Sequence, residues 1–471
     1  MTASVGRLDA LAADLARVLD RNAILAGAAV GAAYCGDATD ERGATPAMVF
    51  RPRNTAEVAA ILSACNAAGQ PVVVQGGRTG LSGGARPQAG EVSLSLERMT
   101  SLSAVDTAAG TLLAEAGATL QSVQEKACHH DLMFGVDIGA RGTATIGGNI
   151  ATNAGGIRVL RYGMSRAQVL GLEAVLADGT ILSNLKGLPK DNSGYDLGHC
   201  FIGTEGTLGV VTRACLKLHP KPRAQANAFC ALPSLQAAIL LLERLRSQLG
   251  PLLSAFEVIF PDVYAGVIAH LSATPPVPLD AGMYVLVEIQ GQSEADDEAR
   301  FAEALMAAYD DGLLSDVAVS TSARDYAAIW ALREGASQFI FSMDHMIGFD
   351  IGLPIPVMQA FLDAASQDVL SADPGAQFYI FGHLGDGNLH YLIRTREHAR
   401  VADAAFAAVA RYGGAVSAEH GIGLDKKRWL PWVRKPGEMA AMRRLKSAFD
   451  PHNILNPGRI FDMKPAVAEY V

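Results

Sequence analysis

The chain has 471 residues, of which 50% are hydrophobic and 18% charged, a length and composition that suit about three globular units and exclude an intrinsically disordered chain. Its formal net charge of −9 argues against nucleic acid or an anionic membrane surface as a partner, because both attract basic patches. The longest apolar stretch, residues 23–35, is shorter than the about 20 residues that span a membrane. We therefore expect a cytoplasmic protein.

The N-terminal residues predict an amphipathic helix. Apolar side chains recur at helical spacing over residues 8–19, and Asp9 and Asp14 stand among them. Acidic residues in such a segment are typical neither of a signal peptide nor of a transit peptide. The six cysteines include no C-x-x-C pair, which predicts scattered buried thiols in a reducing compartment.

From residue 48 onward, helical and extended patterns alternate along the chain. Asn54 and Glu57 have the spacing of a capping box ahead of an apolar helix. Strands are predicted over residues 71–74, 92–96, 111–116, 172–176 and 210–218. The Pro-Lys-Pro stretch at residues 220–222 predicts a domain boundary, beyond which helices such as 234–249 alternate with strands such as 283–289.

The glycine-rich loop over residues 76–84 has two functional interpretations. The stretch GLSGG at residues 80–84 matches the G-x-S-x-G elbow of serine hydrolases, but that elbow needs a helix directly after it, and Pro87 makes such a helix unexpected. Closely spaced glycines instead favour a loop whose backbone N–H groups hold a phosphate, while a purely structural turn stays open. A second glycine-rich loop, residues 139–156, would let a flat or extended ligand approach the backbone. No dinucleotide fingerprint and no P-loop motif is present, which disfavours a Rossmann NAD site.

A predicted hairpin carries two histidines. Two apolar runs flank Asp386 and Gly387, a preferred pair for a two-residue type I′ turn. That turn would place His383 directly opposite His390 on one face of the ribbon, where two imidazoles could chelate one divalent metal ion. A pair of cross-strand core histidines is the alternative.

A third ligand is available in the segment that contains Glu419 and His420. Two histidines and one carboxylate form a common open metal set, which leaves positions for substrate or water. Neighbouring residues of an extended chain point to opposite sides, so one of the two could bind the metal while a neutral His420 acts as a general base. A capping glutamate beside a surface histidine is the alternative.

Seven motifs, in the family's order, give the chain a resemblance to the FAD-dependent dehydrogenases of the vanillyl-alcohol-oxidase (PCMH-type) fold. They are VQGGRTG at 74–80, residues 145–156 with RYG at 161–163, KDNSGY at 190–195, FIGTEGTLG at 201–209, GHLGDGNLH at 382–390, AEHGIG at 418–423 and ILNP at 454–457. Within that fold the chain is similar to the D-2-hydroxyacid branch, which includes D-2-hydroxyglutarate dehydrogenase, D-lactate dehydrogenase and the glycolate oxidase flavoprotein subunit.

The resemblance implies an α+β protein with a PCMH-type FAD-binding domain and an α/β substrate (cap) domain. The expected segments are an N-terminal helical segment (1–44), the FAD-binding domain (45–222), the cap domain with the metal hairpin (223–415) and a C-terminal segment that completes the active site and the FAD domain (416–471).

The resemblance also implies roles for individual residues. The FAD pyrophosphate would lie on Gly76, Gly77, Arg78, Thr79 and Gly80. The flavin and its linker would lie on Gly142, Thr145, Gly148, Asn149, Thr152 and Gly155, with Val210 and Asn456 as further cofactor residues. The metal ligands would be His383, His390 and Glu419, the catalytic proton acceptor His420, and the substrate-binding residues Arg333, Ser337 and Lys426. Residues 75–84 contain no His or Cys, so we expect non-covalent FAD.

Plain structural interpretations stay open at three of these positions. Arg333 would then be a solvated helix arginine, Ser337 an ordinary helix serine and Lys426 a surface lysine.

The implied reaction is oxidation of a D-2-hydroxyacid to the 2-oxoacid, with hydride passing to flavin N5 and electrons to an unidentified acceptor such as a quinone or an electron-transfer flavoprotein. Zn²⁺ is the first expectation for the metal and Mn²⁺ the second, and a homodimer is expected. A D-lactate- or D-2-hydroxyglutarate-type substrate is expected, with a glycolate oxidase-like subunit as the alternative. Alternatives of another class are a metallohydrolase and a catalytically dead flavin-binding protein.

Two positions depart from the 2-hydroxyglutarate enzymes of this family. Where those enzymes carry a Lys two residues before the equivalent of Asp350, this chain has Gly348. Where they carry an Asn two residues after the second metal histidine, it has Leu392. Both losses favour a smaller or more apolar D-2-hydroxyacid over one with a distal carboxylate.

Overall fold

The computed structural model describes residues 2–39 and 41–463, and the chain forms two compact units. The first unit contains the described residues up to Gly155, residues 164–220 and the residues from Glu419 onward. The second contains Gly156–Gly163 and residues 221–418. Residues Gly156–Gly163 are thus grouped with the second unit, and the predicted domain bounds stay a prediction.

The helices and strands of the described residues form an α+β protein, as expected. The helices are α1 Thr2–Leu15, α2 Thr55–Ala67, α3 Leu120–Cys128, α4 Ile146–Thr152, α5 Val159–Tyr162, α6 Ser165–Gln168, α7 Leu235–Leu249, α8 Pro261–Leu271, α9 Glu294–Asp310, α10 Ala323–Phe341, α11 Met358–Ala372, α12 His398–Arg411, α13 Leu430–Val433 and α14 Pro436–Phe449. The strands are β1 Ile24–Ala26, β2 Met48–Phe50, β3 Val72–Gln75, β4 Val92–Ser95, β5 Thr111–Glu115, β6 Leu132–Phe134, β7 Val169–Val175, β8 Ile181–Asn184, β9 Val210–Pro220, β10 Ala224–Leu232, β11 Leu253–Ile259, β12 Met283–Gly291, β13 Asp316–Val319, β14 Met346–Gly352, β15 Gln377–His383 and β16 Asn388–Arg394.

The first unit contains two small sheets. One has the order β1-β2-β4-β3, with β2, β4 and β3 parallel, and the other has the antiparallel order β5-β9-β7-β8. Leu11 and Leu15 of α1 are buried in the same core as α2, which confirms the predicted amphipathic helix. The Asn54 side chain accepts a hydrogen bond from Glu57 N at 2.9 Å, so the predicted N-terminal cap of α2 is also confirmed.

The second unit is built on a seven-stranded sheet with the order β13-β10-β12-β11-β15-β16-β14, in which the neighbouring strands are antiparallel. Ser234 caps α7, and its side chain accepts a hydrogen bond from Ala237 N at 3.2 Å. Helices α8 and α10 contribute apolar side chains to a core with one face of this sheet. Antiparallel pairing fixes which residues share a face. The face that packs against α8 and α10 also carries the candidate site.

A buried carboxylate holds the excursion of Gly156–Gly163 on the second unit's sheet. Glu288 of β12 accepts hydrogen bonds from Arg158 Nε at 3.0 Å and Nη2 at 2.9 Å. It also accepts from Ser254 Oγ at 2.6 Å, Trp330 Nε1 at 3.1 Å and the Tyr326 hydroxyl. Burial opposes its ionisation, but the Arg158 charge and these hydrogen bonds outweigh burial and lower the pKa of Glu288.

All six cysteines are free thiols. Cys65, Cys215 and Cys230 are buried as expected, whereas Cys128 is exposed, so the expectation of buried thiols holds only in part. Burial raises the pKa of Cys65 and of Cys230 to about 12. Within the described part of the chain, every helix is too short or too polar to cross a membrane.

Candidate active site

Two glycine-rich loops of the first unit lie against each other. The loop after β3 contains Gly76. A Cβ at this position would lie only 2.5 Å from Thr145 Oγ1, which is too close for a side chain. A Cβ on Gly77 would overlap the carbonyl oxygen of Thr143. The absence of side chains at 76 and 77 therefore allows the first loop to pack directly on the start of α4.

This loop does not form a serine-hydrolase elbow. No helix follows Ser82 among the neighbouring described residues, whereas the elbow requires one. The Ser82 hydroxyl donates to the carbonyl oxygen of Gly421 at 3.1 Å. The serine is thus part of a structural contact between two loops.

The paired loops fit a cofactor that accepts hydrogen bonds. Asn149 of α4 is buried, and its side-chain Nδ2 has no hydrogen-bond partner among the described residues, a state that costs free energy unless a ligand supplies an acceptor. Arg78 adopts a positive φ of 57°, and its guanidinium lies over the ring of Tyr34 and 3.5 Å from Glu97. FAD is rich in acceptor oxygens and nitrogens, so the chemistry of this pair of loops suits it.

The structure assigns Asn456 a bridging position. Its side-chain oxygen accepts from Val74 N at 2.7 Å, and its Nδ2 donates to the carbonyl oxygen of Glu205 at 2.5 Å. Asn456 therefore holds β3, which leads into the first glycine loop. Val210 is buried in the core at the start of β9. The other predicted cofactor residues also lie in the first unit: Thr79, Gly80, Gly142, Gly148, Thr152 and Gly155.

The hairpin of the second unit has a different register from the predicted one. Phe381, not His383, lies opposite His390, and His383 lies opposite Asn388. The predicted two-residue turn is wrong because the connection has four residues: a 3₁₀ turn over Leu384–Asp386 and then Gly387 with a positive φ of 84°.

The two histidines nevertheless share a face. His383 and His390 are diagonal neighbours across β15 and β16, a separation that long side chains bridge. Their ring centroids lie 5.2 Å apart. The corrected register therefore still brings the two predicted metal ligands together.

Glu257 of β11, which sequence reasoning missed, organises one side of this face. It lies opposite His383, whose Nδ1 is 2.8 Å from Glu257 Oε1, and Arg333 Nε donates to its Oε2 at 2.7 Å. Burial opposes ionisation of Glu257, but the charges and hydrogen bonds of His383 and Arg333 outweigh it and lower the pKa of the carboxyl. A lone glutamate in the apolar strand LSAFEVI was the available signal.

Arg333 is buried, with a side chain 7% exposed, so it is not a solvated helix arginine. Its guanidinium lies 4.7 Å from the centroid of the Phe381 ring. Because Nε binds Glu257, the two terminal nitrogens stay available for a second, bidentate carboxylate. Ser337, one helical turn further along α10, is half-buried.

Asp350 of β14, also missed, organises the other side. It lies opposite His390, with 3.8 Å between His390 Nδ1 and Asp350 Oδ1. Its carboxylate accepts from Asn388 Nδ2 at 2.8 Å, Ser417 Oγ at 3.3 Å and Ala418 N at 3.1 Å. Asp350 thus anchors the chain directly before Glu419.

Glu419 and His420 begin the last segment of the first unit. Both are half-buried, and their ligand atoms lie within 4.8 Å of each other, as do those of Asp350 and His390 in the second unit. Lys426 is 7% exposed, so the surface interpretation of this lysine is wrong.

The next row on the same sheet face carries no charged side chain. Gly348 lies opposite Leu392, and Leu392 lies opposite Tyr379. A Cβ at Gly348 would lie 3.5 Å from Leu392 Cδ2. The two positions that depart from the 2-hydroxyglutarate enzymes are therefore direct neighbours.

Comparison with known proteins agrees with this geometry. Residues 46–184 match the model of the FAD binding domain, and residues 221–460 match the model of the C-terminal domain of FAD linked oxidases. The chain is 38% identical over 416 residues to D-2-hydroxyglutarate dehydrogenase, mitochondrial, of Rattus norvegicus, covering 87% of this chain and 77% of that protein.

A D-2-hydroxyglutarate dehydrogenase of Xanthomonas citri pv. viticola is 38% identical over 431 residues, covering 89% of this chain and 90% of that protein. The fold is similar to that of p-cresol methylhydroxylase, with a TM-score of 0.76, 17% identity and coverage of 97% of each chain. The chain therefore belongs to the FAD-linked D-2-hydroxyacid dehydrogenases of the vanillyl-alcohol-oxidase fold, oxidoreductases that act on CH–OH donors.

Proposed function

We propose that this enzyme oxidises a D-2-hydroxyacid with a short, apolar side chain, of the D-lactate type, and that it uses one divalent metal ion besides FAD. The observation that carries the proposal is the group of polar side chains on one sheet face, bordered by the uncharged row of Gly348, Leu392 and Tyr379. Family membership supplies the FAD-linked chemistry; the metal and the substrate are the proposed parts.

The donor chemistry supports the metal. His390 and Asp350 are neighbours. Asp350 also binds the backbone N of Ala418, and Glu419 is the next residue, with its Cα about 3.8 Å further along the chain. The Nδ1 of His383 is bonded to Glu257, the carboxylate–imidazole arrangement that commonly orients a ligating histidine. We propose His383, His390 and Glu419 as ligands, with Asp350 beside them, and Zn²⁺ as the ion.

Each residue then has a defined task. The terminal nitrogens of Arg333 bind the substrate carboxylate, and Glu257 holds the guanidinium for that contact. His420 accepts the proton of the substrate hydroxyl as general base. When bound, FAD accepts the hydride and the divalent ion acts as a Lewis acid on the hydroxyl.

The absence of a side chain at Gly348 supports the choice of substrate. A distal carboxylate on this face would gain from a cation or an amide donor beside it, because charge-assisted hydrogen bonds are the strong ones. Gly348, Leu392 and Tyr379 offer neither a cation nor an amide side chain. An apolar substituent such as a methyl group needs no such partner.

The test is anaerobic reduction of the bound flavin by a panel of D- and L-2-hydroxyacids, followed by its absorbance. We expect D-lactate to bleach the flavin at lower concentration than D-2-hydroxyglutarate, and the L-isomers to have little effect. Gly348→Lys is the matched variant, and it should shift the preference toward D-2-hydroxyglutarate. A clear preference of the unmodified protein for D-2-hydroxyglutarate would refute the apolar substrate.

A further inference from the structure

Glu205 is a buried carboxylate of the first unit to which the proposed reaction assigns no task. Its Oε1 accepts a hydrogen bond from Ile422 N at 2.7 Å, and its Oε2 accepts one from Gly423 N at 2.8 Å. Burial raises the pKa of this carboxyl in spite of both hydrogen bonds. The two carboxylate oxygens therefore hold the backbone that follows His420, at Ile422 and Gly423.

Ser82 binds the same segment from the first glycine loop. Its hydroxyl donates to the carbonyl oxygen of Gly421 at 3.1 Å. Its own carbonyl oxygen accepts from Leu424 N at 3.0 Å and from Asp425 N at 3.2 Å. Residues 421–425 are therefore bonded to both Glu205 and Ser82.

Two glycines make this close approach feasible. Gly421 and Gly423 have positive φ values of 78° and 52°, which side chains rarely tolerate. A Cβ on Gly421 would lie 2.9 Å from Glu205 Oε1, and a Cβ on Gly423 would overlap the carbonyl oxygen of Ser82. The segment is thus fitted tightly between its two partners.

Ser82 belongs to a loop that carries predicted cofactor residues, and Glu205 is bonded to the elements beside both such loops, since its N donates to the carbonyl oxygen of Ala151 in α4 at 2.8 Å. Ser82 follows Gly80 in the first glycine loop. The carbonyl oxygen of Glu205 accepts from Asn456 Nδ2, and Asn456 in turn accepts from Val74 N of β3. The backbone that follows His420 is therefore bonded to the FAD cradle at several points.

We propose that Glu205 is a positioning residue for His420. It fixes residues 421–423 on the cofactor loops, so that the imidazole keeps its place relative to the flavin while it accepts the substrate proton. This inference rests on the proposed role of His420 as general base.

The test is Glu205→Gln in the full-length holoenzyme. The amide keeps the size of the side chain but turns an NH₂ group toward one of the two backbone N–H donors. We expect the limiting rate of anaerobic flavin reduction to fall about 10- to 100-fold, the scale of a small misplacement. FAD content and the half-saturating substrate concentration should stay unchanged, and amide hydrogen exchange over residues 420–425 should become faster.

A double-mutant cycle with His420→Ala isolates the mechanism. If Glu205 acts through His420, Glu205→Gln should add no further loss of rate to His420→Ala. Fully additive losses would overturn the inference. A normal rate in His420→Ala alone would instead remove the proposed general base, which separates the two failures.

Two further variants complete the design. Ser82→Ala removes only the side-chain hydrogen bond to Gly421 and should lower the rate of flavin reduction about 3-fold. If Glu205→Gln fails to fold, this variant still tests whether anchoring of residues 421–425 affects the rate. Glu173→Gln changes another buried carboxylate of the first unit, bonded to Thr55 and Thr212, and should leave flavin reduction unchanged. An unchanged rate in both Glu205→Gln and Ser82→Ala would refute the positioning role.

Discussion

Arg333 and His383 share one carboxylate, because Glu257 offers a separate oxygen to each. This arrangement explains how a guanidinium can lie beside a metal-ligand candidate without repelling it: the intervening negative charge belongs to a buried side chain that both contact. Only Nε of Arg333 takes part in the bond to Glu257, which leaves its terminal nitrogens for the proposed contact with the substrate carboxylate.

Replacement of Arg333 by lysine tests that assignment. The ammonium keeps the positive charge near Glu257 but cannot form the two parallel hydrogen bonds of a guanidinium. We expect KM for D-2-hydroxyacids to rise about 10-fold or more, the scale of one charge-assisted hydrogen bond, with a smaller change in kcat. Arg324→Lys, at an exposed position of the same helix, is the control. An unchanged KM in Arg333→Lys would return Arg333 to a structural role.

At this scale the sequence was informative where residues stand in local motifs. His383, His390, Glu419 and His420 could be proposed because each has chemically suggestive neighbours in the chain. Glu257 could not, because its partners Arg333 and His383 lie 76 and 126 residues away. Its importance depends on strand pairing, which no local pattern encodes.

At the scale of elements, the loop after β3 packs against the start of α4. A Gly→Ala substitution, which adds one methyl group, can test this contact. Gly77→Ala would place a Cβ onto the Thr143 carbonyl oxygen, and such overpacking costs about 1–3 kcal/mol. We expect the dissociation constant of FAD to rise about 10-fold, measured by titration of the apoprotein. Gly139→Ala is the control, because a Cβ there meets nothing within 4 Å. Equal FAD affinity in the two variants would contradict the assignment of this loop.

The anchoring of α5 by Glu288 predicts a dependence of stability on pH. The pKa of Glu288 is lowered in the folded state, so its contribution is present above the ordinary carboxyl pKa of about 4.3 and is lost as the pH falls toward the folded value. Glu288→Gln should therefore lower the free energy of unfolding at pH 7, by about 3 kcal/mol, and flatten its decline on acidification.

Urea unfolding at pH 7 and pH 4 measures both effects on Glu288→Gln. Glu243→Gln, an exposed carboxylate of α7, should follow the unmodified protein at both pH values. Parallel pH curves for Glu288→Gln and the unmodified protein would show that folding does not lower the pKa of Glu288.

The elements themselves were largely predictable, and the turn between them was not. Alternation of apolar residues located β3, β4, β5, β7 and β9 to within a few residues. The prediction of the hairpin turn was wrong because Asp386 and Gly387 suit a two-residue turn by local propensity alone. In the folded protein Gly387 packs closely against Leu353. A Cβ at position 387 would lie only 2.5 Å from the Leu353 carbonyl oxygen. Tertiary packing thus selected the longer loop.

For the whole molecule, the assignment of the FAD residues and the hairpin histidines to different units predicts that FAD and the proposed metal ion can be removed independently. The proposed FAD residues all lie in the first unit, and none of them is a proposed metal ligand. We expect a chelator to slow flavin reduction by D-2-hydroxyacids at least about 100-fold, since a Lewis acid supplies several kcal/mol, while the protein stays yellow.

Addition of Zn²⁺ or Mn²⁺ to the chelated protein should restore the rate, and metal analysis of the same samples is the control. A full rate in metal-free protein would exclude the Lewis-acid role. Loss of FAD together with the metal would contradict the independence of the two sites.

The link between β3 and Leu455 has a consequence for biosynthesis. Val72 pairs with Leu455, Val72 N donates to the Ile454 carbonyl oxygen, and Asn456 N donates to the Val72 carbonyl oxygen. Strand β3 pairs with β4 on one side, and on the other it lacks its contact with residues 454–456 until those residues have been synthesised. We therefore expect a stalled nascent chain that ends before residue 450 to emerge without bound flavin, because the first glycine loop directly follows β3.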